Sequence, residues 1–302
     1  MVKNGVNERP IISIIIPTAN NETTIKRAIS SIRLENVTFE VLVVINNSSD
    51  QTREIVELYQ NAHQYIRILD SPGGRSRARN DGLKAALGKY IYFLDSDDEA
   101  NPSFIQSGVA LLECNQNLDC VAVASNTEVI HDQSQATDKF EVTTDSIENL
   151  NARNPFMIES IIFHREHIKY HFDENMVYCE DWWFWLTNFQ GADFQLLKEK
   201  SSLVHITGRN TMSNVATLSY FELETRIRSI SRFSSKSMKW FLLDLKLIIK
   251  YFLMSEQRLP KLWKSLPIVT LCGWILVHLP GVRQHLEQKI QHSKLMDLYQ
   301  NE

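Results

Sequence analysis

One run of residues limits the fold more than any other: Ile11–Pro17, IISIIIP, apolar at every position but Ser13. A strand with water on one face alternates polar and apolar residues. A run apolar throughout belongs to a strand buried on both faces, as in a parallel sheet covered by helices. The following segments fit that frame. Asn20 and Asn21 stand as candidate helix N-caps ahead of Ile25, Ala28, Ile29 and Ile32 at helical spacing. Phe39–Ile45 predicts a second strand ending in NNSSD, and Ile55, Val56 and Tyr59 mark the next helix. Tyr65–Leu69 predicts a third strand closed by SPGG, Ser76–Leu87 a third helix, Tyr90–Leu94 a fourth strand and Val121–Ser125 a candidate fifth. Strands separated by helices imply an α/β domain, a mainly parallel central sheet flanked by helices. Such sheets bind ligands beyond the carboxyl ends of their strands. The loops PTANNE, NNSSD, SPGGRSRARND and DSDDE are therefore the places to look for chemistry.

The pattern changes near residue 130. Polar sequence (His131–Asp145) leads to a strand candidate, Ile158–Phe163, an aromatic helix starting near Asp181, and a strand at Phe194–Leu197. The C-terminal part is different again. The chain carries a net charge of −4, yet Arg226–Lys264 holds ten basic residues against Asp244 and Glu256. Met238–Met254 predicts a helix with thirteen apolar residues in seventeen. Ser265–Val282 lacks charge but is broken by Pro267, Gly273, Pro280 and Gly281, short of the roughly 20 clean apolar residues a spanning helix needs. The expectation is an α/β domain over 1–225 and a basic, aromatic helical extension over 226–302. That extension would lie peripherally on the anionic inner face of the cell membrane, with Trp240, Trp263 and Trp274 near the interface. A buried helical covering for the first domain is the plainer reading of the same segment. Cys114, Cys120, Cys179 and Cys272 form no CxxC pair, and MVKNGVNERP is not followed by an apolar signal core, so a reducing cytoplasm is expected. The absence of a global basic bias argues against nucleic acid as a partner.

PTANNE contains no glycine, which excludes a dinucleotide-binding fingerprint or a P-loop at the first turn. DSDDE places Asp95, Asp97 and Asp98 at the carboxyl end of a strand, where they repel one another unless a cation neutralises them. Hard oxygen ligands of this kind suit Mn2+ or Mg2+ shared with phosphates. An isolated DxD is more often a solvated acidic turn; its place at the ligand-binding edge reverses that order. In GGRSRARND, Gly73 and Gly74 allow close backbone approach, and Arg75, Arg77 and Arg79 offer cations to a diphosphate. Any one of these arginines is equally well explained as part of a solvated helix face. A basic loop paired with an acidic one is the less ordinary feature.

ISIIIPTANNE, EVLVVINNSSDQT, GGRSRARNDGLKAALGKYIYFLDSDDE and FDENMVYCEDWWFWL together resemble the bacterial-type family 2 glycosyltransferases of the GT-A fold. The resemblance spans about residues 10–215 and is specific in the order and spacing of its motifs. It implies a nucleotide-diphospho-sugar transferase fold and inverting transfer to an acceptor hydroxyl. By position, it makes Asp97 the main metal ligand and Asp95 its assistant at metal or ribose, with Ser96 beside them at the donor. Asp181 becomes the base, with Glu180 as its neighbour. Pro17, Thr18 and Asn46 line the nucleotide pocket, Asp50 closes the second loop, and Arg79 and Asn80 support the diphosphate region. His205 falls where some members place a further metal or phosphate contact; a lone histidine is more often structural.

Two departures concern the nucleotide. The family usually stacks an aromatic residue on the base where this chain has Ala19, and places Asp-Asp or Asp-Asn where it has Ile45-Asn46. The Asn46 amide oxygen remains as an acceptor, weaker than a carboxylate. The expected donor is a nucleotide-diphosphate sugar, a UDP-sugar favoured, and the expected acceptor a carbohydrate or lipid-linked hydroxyl in cell-surface polysaccharide or glycolipid synthesis. The alternative is a catalytically silent module that kept the fold. Of Trp182, Trp183 and Trp185, at least two are expected in the core, leaving one for an acceptor sugar.

Overall fold

A computed structural model describes residues 9–206, apart from 115–119, 133 and 152, together with 221, 222, 224–226, 228 and 229. The chain divides into two compact units, Met1–Leu150 with Asn154–Ile206, and Asn151–Arg153 with Thr207–Glu302. The first carries the fold described below. The helices expected at Met238–Met254 and Ser265–Val282, and most of the sequence around the expected boundary at 225, lie outside the described residues.

The first half alternates β1 (Ile12–Thr18), α1 (Ile25–Ser31), β2 (Phe39–Asn46), α2 (Thr52–Ala62), β3 (Ile66–Ser71), α3 (Arg75–Ala85) and β4 (Tyr90–Phe93). A two-residue strand β5 (Glu99–Ala100), helix α4 (Pro102–Cys114), and strands β6 (Cys120–Ala124), β7 (Thr127–His131) and β8 (Thr137–Phe140) follow. Then come α5 (Thr144–Glu148), β9 (Ile161–His164), α6 (Glu180–Phe189), β10 (Asp193–Leu196) and β11 (Ser202–Ile206).

Seven strands form the central sheet in the order β10-β6-β9-β4-β1-β2-β3. β1 sits inside it, parallel to β2 on one side and β4 on the other, and every one of its residues is buried. That burial on both faces is why its sequence lacks alternation. β9 alone runs against its neighbours, antiparallel to β4 and β6. The expected strand at Ile158–Phe163 opens instead with a 3-10 turn at Ile158–Ser160. A second sheet, β5-β11-β7-β8, was not foreseen; it lies partly in the polar stretch read as connection.

Helix α3 approaches the sheet closely because of Gly82. A Cβ there would lie 2.4 Å from Ile15 Cγ2 and 3.3 Å from Val44 Cγ2. This close approach holds the arginine-bearing first turns of α3 over the strand ends. The N-cap expected at Asn20 or Asn21 belongs to Thr24 instead, without a side-chain cap hydrogen bond. Asn20 is left-handed, at φ 54°, and its Oδ1 accepts from Ser49 N at 2.8 Å, tying the first loop to the second. Among the described residues no helix is long and apolar enough to cross a membrane.

Candidate active site

The carboxyl ends of β1, β2 and β4 bring the expected loops together. Thr18 closes β1 with Ile45 of β2 beside it in register, and its buried Oγ1 has no hydrogen-bond partner. Pro17 is buried beneath it, Asn46 ends β2 half-buried, and Ala19 is exposed. Asp50 caps the second loop: its oxygens accept from Glu22 N at 3.0 Å, Thr52 N at 3.1 Å and Thr52 Oγ1 at 2.6 Å. These contacts hold its carboxyl below the ordinary range, although burial works the other way. A cleft of about 310 Å3 opens beside this edge, lined by Asn47, Ser48, Arg53, Asp70 and Ser71 among others.

The acidic turn leaves β4. Ser96 is buried and hydrogen-bonded to the side chain of Asn21. Arg27 Nη2 donates to the Asp97 carbonyl at 2.5 Å. Asp98 points inward and accepts from His205 N at 2.7 Å, pinning the turn to β11. Asp95 accepts from Arg79 Nη2 at 2.9 Å, while its own N–H donates to Glu159 Oε1 at 3.1 Å. Asp95, Asp98 and Glu159 offer oxygens within 4.8 Å of one another.

Such crowding is costly without a counter-charge. Burial and then the charge of Asp95 push Asp97 up to about 6 and Glu159 up to about 8. Burial, followed by Glu159 and Asp97, drives Asp98 well above the carboxylate range. The donor set is wholly oxygen and anionic, and it fits a hard divalent cation. His205 does not extend that set in this arrangement: its Nδ1 lies 2.7 Å from Asp132 Oδ1 and its Nε2 2.9 Å from Glu99 Oε1.

Arg79 joins this turn to α6. It is 2% exposed, and from its other terminal nitrogen, Nη1, it donates to Glu180 Oε1 at 2.9 Å. Burial works against its charge, but Asp95 and Glu180 outweigh that and hold the guanidinium protonated more firmly than usual. Arg75 Nε stands 2.7 Å from the same Glu180 oxygen. Asp181, next in sequence, accepts from Asn154 Nδ2 at 2.8 Å. Burial and the neighbouring Glu180 raise it to about 6, with Arg79 opposing. Helix α6 starts from Cys179 in a left-handed conformation, φ 57° and ψ 21°.

Asn80 is buried beside the loop that leads into α6. Its Nδ2 donates to Phe172 O and Glu174 Oε1, each at 3.0 Å, and its Oδ1 accepts from Phe172 N at 2.9 Å, so it anchors the loop leading into α6. Trp182 and Trp185 are core residues as expected, Trp182 donating to Leu150 O at 2.6 Å. Glu159 escaped the sequence reading. Its signal was a lone carboxylate inside the apolar run FMIESIIF, within the expected strand Ile158–Phe163.

The family model for glycosyl transferase family 2 matches residues 13–183, more than half of the chain. The chain belongs to that family. An uncharacterized glycosyltransferase of Methanocaldococcus jannaschii is 24% identical over 82% of this chain and 90% of its own length. The poly(ribitol-phosphate) beta-N-acetylglucosaminyltransferase TarS of Staphylococcus aureus is 35% identical over 106 residues, 33% of this chain and 18% of that protein. The structure of TarS residues 1–349 with UDP-GlcNAc superposes with a TM-score of 0.59 at 19% identity, covering 93% of this chain and 82% of that one. A mannosyltransferase from Pyrobaculum calidifontis, in complex with GDP-Man and Mn2+, gives 0.60 at 16% identity over 97% and 83%. The fold of this family 2 glycosyltransferase is thus the GT-A fold. The resemblance set Asp97 first among the carboxylates of the turn. The geometry groups Asp95 with Asp98 and Glu159, with Asp97 beside that trio.

Proposed function

We propose that this glycosyltransferase moves a sugar from a nucleotide-diphosphate donor, a UDP-sugar favoured, to a carbohydrate or lipid-linked hydroxyl by inverting single displacement. The observation that carries the reading is Arg79, whose one guanidinium holds the acidic turn at Asp95 and the Glu180-Asp181 pair together. The TarS complex with UDP-GlcNAc supports the donor class, and the orphaned Thr18 hydroxyl is a polar group left for a ligand at the nucleotide edge. With Ala19 exposed and Ile45 buried, base recognition falls to Asn46 and the neighbouring cleft rather than to an aromatic stack.

Asp95 and Asp97 would hold Mn2+ or Mg2+, which supplies charge neutralisation at the departing diphosphate when bound. Asp181 takes the proton of the acceptor hydroxyl as that oxygen bonds to the anomeric carbon. The bond from that carbon to the phosphate oxygen breaks, and its electron pair leaves with the nucleoside diphosphate. Glu180 is spent on Arg75 and Arg79, so it positions α6 and leaves Asp181 as the proton acceptor. Arg79 and Asn80 support the diphosphate region indirectly, through Asp95 and through the loop at Phe172. Peripheral attachment to an anionic inner leaflet through the basic C-terminal sequence, in cell-surface polysaccharide or glycolipid synthesis, completes the proposal. The retained carboxylates favour transfer over a silent binding module. Incubation with a panel of nucleotide sugars and Mn2+, followed by calorimetry and product detection, tests it: metal-dependent binding of one donor is expected. No metal-dependent binding of any donor would support the silent module.

A further inference from the structure

The strand that follows Glu159 carries a different set of side chains at its far end. β9 pairs antiparallel with β4, His164 opposite Tyr90, so His164 lies at the end of the strands away from Asp95, which is five residues or about 16 Å farther along the chain from Tyr90. β9 runs directly into a 3-10 turn, Arg165–His167. Residues three apart in such a turn eclipse one another. His167 accordingly stands over His164, with ring centroids 5.4 Å apart and planes at 70°. Between them, Glu166 places Oε1 3.7 Å from His164 Nδ1. One ligand atom from each of the three residues lies within 4.8 Å of the others.

Three further observations point to a cation. The Nδ1 atoms of His164 and of His167 are both buried and neither has a hydrogen-bond partner. Buried polar atoms are rarely left so, because each costs about 1–3 kcal/mol unmet. The nearby positive groups are already engaged: Lys89 Nζ lies 2.6 Å from Glu113 Oε1, and Arg165 Nη1 donates to the Ala86 carbonyl. Glu166, though neither histidine, also lines a cleft of about 640 Å3 together with Arg9, Lys89 and Arg165, so solvent reaches the carboxylate.

We propose that His164, Glu166 and His167 bind a divalent transition metal of the zinc type, at a site separate from the acidic turn. Two imidazoles and one carboxylate form a borderline donor set that suits Zn2+, whereas the all-oxygen turn suits Mn2+ or Mg2+. Tetrahedral Zn2+ with bonds of about 2.0–2.2 Å sets its ligand atoms about 3.3 Å apart. The His164–Glu166 pair is close to that spacing, and Glu166, with a side chain 77% exposed, is free to rotate inward for the remainder. Three protein ligands leave the fourth position to water. The metal would lock the 3-10 turn onto the end of β9.

The test uses the tag-free full-length chain, stripped with chelator and then held in excess Mg2+ so that the acidic turn is filled. Zn2+ is titrated by calorimetry with elemental analysis of the dialysed protein, and Co2+ is added in parallel and read by visible absorption. About one Zn2+ per chain and Co2+ bands of a low-coordinate site are expected. Glu166→Gln and His167→Gln should each weaken Zn2+ binding about tenfold or more. Glu166→Gln changes an exposed side chain and so reads on the site even where a histidine variant fails to fold. Wild-type protein that takes up no Zn2+ over Mg2+, or variants that bind it as tightly as wild type, would overturn the proposal.

Discussion

Arg79 and Glu180 stand 101 positions apart in sequence and 2.9 Å apart in space, both almost wholly buried. The same guanidinium reaches Asp95. Removing it would leave Asp95 without its arginine and the buried Glu180 with Arg75 alone, and breaking a buried pair is costly. Arg79→Ala is expected to destabilise the protein by about 3–5 kcal/mol, read as a lower midpoint in urea unfolding. Arg79→Lys should recover only part of this, since one ammonium cannot make both planar contacts. Full recovery by lysine would show that charge alone matters there.

Asp181→Asn keeps the shape of the side chain and its contact with Asn154 but cannot take a proton. Turnover should fall by about 10^2–10^4-fold with donor affinity unchanged. In the unsubstituted enzyme kcat should decline below about pH 6, because the base must be ionised and Asp181 is raised to about 6. A kcat that is flat from pH 5 to pH 8, or near-normal turnover by the asparagine variant, would remove Asp181 from that role.

The acidic turn predicts an opposite response of stability and metal to pH. Asp97 at about 6 and Glu159 at about 8 hold protons more tightly in the folded chain than unfolded, where carboxyls ionise near pH 4. The metal-free fold therefore binds the extra protons between about pH 4 and pH 8, and its stability falls as pH rises through that window. Mn2+ competes with those protons. The rise in Tm on adding Mn2+ should be larger at pH 8 than at pH 5, as followed by thermal unfolding at both. An equal rise at the two would count against carboxylate ligation.

Gly82→Ala places a methyl group 2.4 Å from Ile15 Cγ2. A shift of α3 or of β1 must absorb it, at about 1–3 kcal/mol. Tm should drop, and because α3 carries Arg75 and Arg79, kcat should drop with it at temperatures where the variant is fully folded. Unchanged kcat in folded protein would mean that the helix relaxes without moving its first turns.

What could be read beforehand follows physical lines. β1 and β2 are buried on both faces and advertise themselves by unbroken apolar sequence. β8, TDKF, is three-quarters exposed residues and β5 is only two residues long, so neither leaves a pattern, and the second sheet stayed hidden. α5 is capped by Thr143 and Ser146, where a glutamate or glutamine at the second position is the usual cue. Among candidate site residues, Asp95 is marked locally by its loop at a strand end, whereas Asp181 was pointed to by the resemblance to the family, as part of the acidic pair that opens α6. Glu159 was not legible, because its role depends on β9 lying antiparallel beside β4, a pairing that sequence spacing does not reveal. The residue types in RSRARND alone do not distinguish Arg79, the buried tie, from Arg77, which is half in solvent; the resemblance to the family singled Arg79 out.

The left-handed turn at Cys179 has a consequence for fidelity of placement. An L-residue with a side chain resists that twist by about 1–2 kcal/mol, so the surrounding chain must impose it. A helix begun without such tension could start one residue earlier or later, and each slip would rotate its opening residues by about 100°. Cys179 thereby serves as an indexing notch for two adjacent acids, of which Glu180 faces inward to the arginines and Asp181 turns to Asn154.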